Sequence, residues 1–220
     1  MTDITNLSTV NVAISNYIAV VTMNNPPVNA QNRQFHDDLT LVFDVLSDRN
    51  DVRSIVLTGA GKCFSAGADI KGRASQEPDL GDHWVHSRRV RECFYSIMEC
   101  RKPIIAAING AALGAGLAVA ASADILIASE SASVGLPEIN VGLLGGGRHA
   151  MRLFGHSKTR RLMLTGQRLS GAEYGYDRSA KGKGGTKTAN TYWHDWWGEI
   201  WDNVHGAGSA YSGRPCLGCG

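Results

Sequence analysis

Between two apolar runs, IIAAI (104–108) and DILIAS (124–129), lies NGAALGAGLAVAASA, in which no residue after Asn109 carries a group capable of acid–base chemistry. Small side chains over such a length leave the peptide edge uncovered, so the segment suits close helix–strand packing or the approach of a ligand to backbone N–H groups. The flanking runs are continuous rather than alternating, which predicts strands buried on both faces. A strand, a turn of glycines, a short helix and a second strand therefore form the central prediction. A second stretch has the same form: the apolar run SIVLT (54–58) is followed by GAGKCFSAGADIKG.

The remaining periodicity extends the pattern. NVAIS and YIAVVTM predict a hairpin of short strands, followed by the loop NNPPVNAQN. Phe35, Leu39, Val42, Phe43 and Leu46 recur at helical spacing, as do Val90, Phe94, Ile97 and Met98 ahead of Pro103. Alternating strands and helices predict an α/β fold with crossover connections.

Neither glycine turn matches a nucleotide motif. Gly61-Lys62 is followed by Cys63, with Val56 where a Walker loop needs its first glycine; Gly114-Ala115-Gly116 is followed three positions later by Val119, not by the Gly or Ala of a dinucleotide fingerprint. Ser65 falls short of a nucleophile elbow because Cys63 replaces the first glycine.

Composition narrows the function. With 220 residues, 43% hydrophobic and 19% charged, the chain is large enough for one domain with a full core. A net charge of +2 without a stripe of Lys and Arg predicts no nucleic-acid surface. No apolar run approaches the roughly 20 residues of a membrane span, and MTDITNLSTV lacks the features of a signal peptide, so a cytoplasmic protein without membrane partners is expected. Five scattered cysteines form no disulfide framework, and Cys216-Leu-Gly-Cys219 lacks the second pair or histidine that would complete a metal site, so no metal is expected.

Three segments, KCFSAGADIK (62–71), KPIIAAINGAALGAGLAVAASADILIAS (102–129) and ASVGLPEINVGLL (132–144), resemble in order and spacing the enoyl-CoA hydratase/isomerase, or crotonase, superfamily over about residues 10–174. The resemblance implies a ClpP/crotonase-like α/β spiral of ββα units and an acyl-CoA-processing enzyme of fatty-acid metabolism, a lyase or isomerase. Coenzyme A enters as part of the substrate, and no separate cofactor is implied. Carried over by motif position, the N–H groups of Ala68 and Ala115 form the oxyanion hole for the thioester carbonyl. Val28, Ala30, Lys62, Ala66 and Ile70 fall where coenzyme A is held. Hydratases of the family use two glutamates: the first falls at Ala118 and is absent, the second falls at Glu138 and is present. One carboxylate beside two backbone donors fits isomerisation, or hydration by a single base. The alternative is a CoA-thioester-binding protein with little turnover. Arg148 and His149, at an expected helix start, are either further substrate contacts or a solvated charge and a cap.

After residue 174 the chain departs from the family. Ser170-Gly-Ala-Glu173 is a capping-box pattern that should open a helix, yet no apolar helical face follows. Residues 175–220 are instead rich in Gly and Lys and carry Trp193, Trp196, Trp197 and Trp201, a composition expected to order poorly. The C-terminal helices of the family are thus missing or replaced, through a frame shift after about Gly175 or a divergent appendage. The resemblance implies a homotrimer or dimer of trimers, which this tail places in question.

Overall fold

The computed structural model describes residues 4, 7–70 and 80–174. Strands β1 (Val10–Ser15) and β2 (Ile18–Met23) form the expected hairpin, closed by Asn16 and Tyr17, both at positive φ. β3 (Ala30–Gln31) leads into α1 (Arg33–Asp48), whose cap Asn32 accepts a hydrogen bond from the Phe35 N–H at 2.9 Å. The five apolar residues expected at helical spacing in α1 are all buried.

Two sheets then grow in step. β4 (Ser54–Gly59), β7 (Ile104–Ile108) and β9 (Ile125–Ala128) extend one sheet in the order β1-β2-β4-β7-β9, parallel from β2 onward. β5 (Cys63–Ser65), β8 (Ala111–Leu113) and β10 (Ser133–Gly135) lie parallel in a second sheet, completed by antiparallel β11 (Arg168–Ser170). Each pass of the chain adds one strand to each sheet, which is the α/β spiral expected. A third, two-stranded ladder pairs β3 with β6 (Gly67–Ala68).

Helices α2 (Leu80–Met98), α3 (Ala115–Ala121) and α4 (Gly147–Thr165) lie between strands; α2 packs on α1, and α3 on α4. The core, centred on Phe35, Phe43, Phe64, Leu57 and Ile104, joins these helices to the first sheet. Ser170 and Glu173 form the reciprocal capping box at the start of α5 (Gly171–Tyr174): Glu173 Oε2 accepts from the Ser170 N–H at 2.9 Å, and Ser170 Oγ from the Glu173 N–H at 3.3 Å.

One expectation needs correction. The apolar run 124–129 predicts a fully buried strand, but β9 is the edge of its sheet, with Ile125 42% exposed and the other three residues half-buried. An apolar run alone does not show how many neighbours a strand will have. All described residues fall in one compact unit, and the distinct region expected at 175–220 lies outside them. Among the described residues no helix is long and apolar enough to cross a membrane.

Candidate active site

The second sheet explains where the site lies. β5, β8 and β10 are parallel neighbours, and the segments after their carboxyl ends carry the two glycine turns and Glu138. Parallel strands open their connecting turns on one edge, and that edge is where open α/β sheets bind ligands.

The turns are packed to van der Waals limits. A Cβ on Gly67, whose φ is +95°, would lie 2.7 Å from the Leu113 carbonyl oxygen and 3.2 Å from the Ala115 nitrogen. A Cβ on Gly116 would lie 2.2 Å from the Ser65 carbonyl oxygen. Only glycine allows this approach, so the small-residue stretch packs one turn against the other, and Gly67, Ala68, Gly114 and Ala115 line a cavity. Gly114 at φ +56° begins α3, and no side chain caps it. The N–H groups of the first helical turn therefore lack side-chain partners, and the positive end of the helix dipole lies there. The Gly114 N–H itself bonds the Gly135 carbonyl at 2.9 Å, tying the second turn to β10.

β10 continues through Leu136 into a 3₁₀ turn, Pro137–Val141, that presents Glu138. Its Oε2 is buried without a hydrogen-bond partner among the described residues. Burial raises the Glu138 pKa above the ordinary carboxylate value, and a bond from its own backbone N–H opposes this only in part. Ala68, Ala115, Ala118 and Glu138 line one cavity of about 940 Å³, together with apolar residues of α2 such as Val90, Phe94 and Met98.

Of the expected coenzyme-A residues, Ala66 and Ile70 also line this cavity. Val28, Ala30 and Lys62 do not; Val28 and Lys62 are exposed beside the first turn, and the Val28 carbonyl accepts the Ala66 N–H at 3.0 Å. Arg148 and His149 line the cavity too, at the expected helix start. His149 is no cap: its ring meets Phe94 edge-on at 4.8 Å, its Nδ1 is buried without a hydrogen-bond partner, and burial, with Arg152 and Arg148 nearby, lowers its pKa. Ser65 is fully buried and donates to the Asn29 carbonyl at 2.7 Å, so it is a structural hydroxyl rather than a nucleophile.

Sequence reasoning missed a group of polar residues behind the first turn. Asn29, 2% exposed and at φ +52°, donates through Nδ2 to the Cys63 carbonyl at 2.8 Å and to the Ala60 carbonyl at 3.1 Å. Gln31 and His36 lie beside it, and His36 also lines the cavity. His36, a polar residue on the apolar face of α1, was the available signal, whereas Asn29 and Gln31 lie in a polar loop that offered none. Among the described residues no group of three or more His, Cys, Asp or Glu is arranged to hold a metal ion.

Comparison with known proteins identifies the family. The model of the enoyl-CoA hydratase/isomerase family matches residues 13–175. A probable enoyl-CoA hydratase of Bacillus subtilis is 38% identical over 170 residues, 76% of this chain and 66% of that protein. Among solved structures, DspI of Pseudomonas aeruginosa is 35% identical with a TM-score of 0.69, over 74% of this chain and 68% of that one. An enoyl-CoA hydratase of Bacillus anthracis is 26% identical with a TM-score of 0.74, over 90% and 77% of the two chains. The matched region spans between 56% and 66% of the length of the first curated relatives. The chain belongs to the enoyl-CoA hydratase/isomerase family.

Proposed function

We propose that this chain processes acyl-CoA thioesters by stabilising a thioester enolate and moving a proton with one carboxylate. The observation that carries the reading is Glu138: a carboxylate with a buried, unpartnered Oε2, in a cavity onto which both glycine turns open. The N–H groups of Ala68 and Ala115 hold the thioester oxygen, and removing one such donor typically costs roughly 100- to 1000-fold in kcat. Val28, Ala30, Lys62, Ala66 and Ile70 hold coenzyme A.

In the isomerisation, the Glu138 carboxylate takes a proton from C2 of a 3-enoyl thioester. The electron pair moves onto the thioester oxygen between the two N–H groups, and the same proton returns at C4, leaving the double bond between C2 and C3. Burial suits Glu138 to this because a raised pKa brings a carboxyl nearer the working pH of a base that must also return its proton. Hydration by one carboxylate uses the same groups. The family resemblance further supports a trimeric assembly working in the cytoplasm.

A second reading, a thioester binder with little turnover, is favoured by Ala118. It is 1% exposed on α3 and lines the cavity, and by motif position the resemblance implies a second carboxylate there in two-glutamate hydratases. Assay of 2-enoyl- and 3-enoyl-CoA thioesters, with calorimetric binding of the same compounds, separates the two. Turnover that disappears in Glu138→Gln supports the first reading, binding without turnover supports the second, and no binding rejects both.

A further inference from the structure

The cavity beside Glu138 carries more positive than negative charge. Arg91, Arg148, Arg152 and Arg168 line it, and Glu138 is the one carboxylate among its described lining residues. Arg148 and Arg152 stand four residues apart on α4 and so share a face of that helix. Neither has an ion-pair partner among the described residues, where the arginines paired with carboxylates are Arg49, Arg88, Arg89 and Arg101.

The two charges lie at the cavity wall. Arg152 reaches across to α2, where its Nη1 donates to the Met98 sulfur, and Met98 itself lines the cavity. A thioether is a weak acceptor, so most of the five N–H donors of this exposed guanidinium remain open. Burial first, and then the charges of Arg152 and Arg148, lower the pKa of His149, whose ring lies against Phe94 of the same wall at 4.8 Å.

Their position along a bound thioester follows from Glu138. A Cβ on Gly145 or on Gly146, the residues that lead into α4, would lie 3.9 Å from Glu138 Oε1. The start of α4 is therefore beside the group that acts on the reacting carbons, and Arg148 and Arg152 follow within the first two turns of the helix. The phosphates of coenzyme A are separated from those carbons by the whole pantetheine arm, so an anion that meets these arginines is carried by the acyl group. A guanidinium recognises a carboxylate through two parallel hydrogen bonds, and like charges four residues apart on a helix repel until an anion joins them.

We propose that Arg148 and Arg152 form a carboxylate subsite, so that the preferred substrates are CoA thioesters of dicarboxylic acids, with the free carboxylate at the end of the acyl group remote from the sulfur. The proposal rests on the reading of the cavity as a CoA-thioester site. Glu138 and the Ala68 and Ala115 N–H groups address the reacting atoms, whereas the two arginines select the acyl group.

The test is calorimetric titration of matched thioesters into the full chain: pentanoyl-CoA against glutaryl-CoA, and hexanoyl-CoA against adipoyl-CoA, each pair differing by a methyl group replaced with a carboxylate. The wild-type chain should bind the carboxylated member of at least one pair roughly 10- to 100-fold more tightly, the range that a hydrogen-bonded charged group supplies. Arg148→Gln and Arg152→Gln together should bring that ratio to within about twofold of one, and each alone should reduce it, so the result does not depend on the double variant folding. A wild-type ratio below about threefold in both pairs overturns the subsite without recourse to any variant. A ratio that survives both substitutions overturns the assignment, as does equal weakening of both members of a pair, which would place the arginines on the coenzyme A phosphates. Failure of the wild-type chain to bind any of the four thioesters overturns the thioester reading itself, and the subsite with it.

Discussion

Gly114 and Glu138 share a wall of the cavity so closely that a Cβ on Gly114 would lie 2.7 Å from Glu138 Oε1 and 3.2 Å from its Cδ. The glycine is needed twice, for its φ of +56° and for the space the carboxylate occupies. Gly114→Ala should therefore move Glu138 and strain the turn, the backbone contribution alone being on the order of 1–3 kcal/mol. The variant should melt at a lower temperature and lose catalytic efficiency by roughly 100-fold or more, since a small displacement of a reacting group is enough for such a loss. Unchanged values of both would show that the carboxylate relaxes freely.

Glu138→Gln should lower kcat by on the order of 100-fold or more with little change in thioester affinity, because the shape of the side chain is kept and its proton transfer is lost. Its stability should move the other way. The folded state raises the Glu138 pKa, so the fold is favoured while the group is protonated, and that advantage is lost as pH rises from the unfolded value through the folded one. The stability of the variant relative to wild type should therefore be greater at pH 7 than at pH 4, as read from melting temperatures at the two values.

Gly116→Ala provides a test of the packing between the turns. On helix propensity alone alanine would gain about 1 kcal/mol over glycine. Here the added methyl would sit 2.2 Å from the Ser65 carbonyl oxygen, a backbone atom held in β5. The melting temperature should fall, and the affinity for CoA thioesters with it, because the Ala68 and Ala115 N–H groups would be forced apart.

His36 makes stability depend on pH below neutrality. Above pH 6.5 the ring is neutral in both folded and unfolded chains and contributes no pH dependence. Between 6.5 and about 4 the unfolded chain takes up a proton that the folded one refuses, so stability falls as the pH drops. A shift of that size corresponds to roughly 3 kcal/mol in all. The loss of stability from pH 7 to pH 4, measured by denaturant unfolding, should be smaller in His36→Phe than in wild type; equal losses would mean that His36 is protonated in the folded state.

Local pattern was enough for much of this fold. The helical spacing of Phe35, Leu39, Val42, Phe43 and Leu46 became the buried face of α1, the runs 54–58 and 104–108 became central strands, and the Ser170–Glu173 capping box formed as written. These features depend on residues within a few positions of one another, where propensity and periodicity act. The glycine turns and Glu138 were also legible, as positions in three motifs.

Other features required the spiral. Gln31 and Ser65 lie 34 residues apart, and Asn29 and Ser65 lie 36 apart. Nothing in the chemistry of either member announces its partner, so these contacts form only in a fold that pairs β3 with β6. Likewise, an apolar run determines that a strand forms, while the number of strands beside it determines whether it is buried, which is why β9 is an edge. Side-chain size and spacing along the chain are enough to set the elements, the two turns of small residues and the position of Glu138. That Gly114 faces Glu138, and that His36 is buried with its Nδ1 unpartnered among the described residues, depends on the assembled fold, because burial and unmet hydrogen bonds belong to residues brought together from distant parts of the chain.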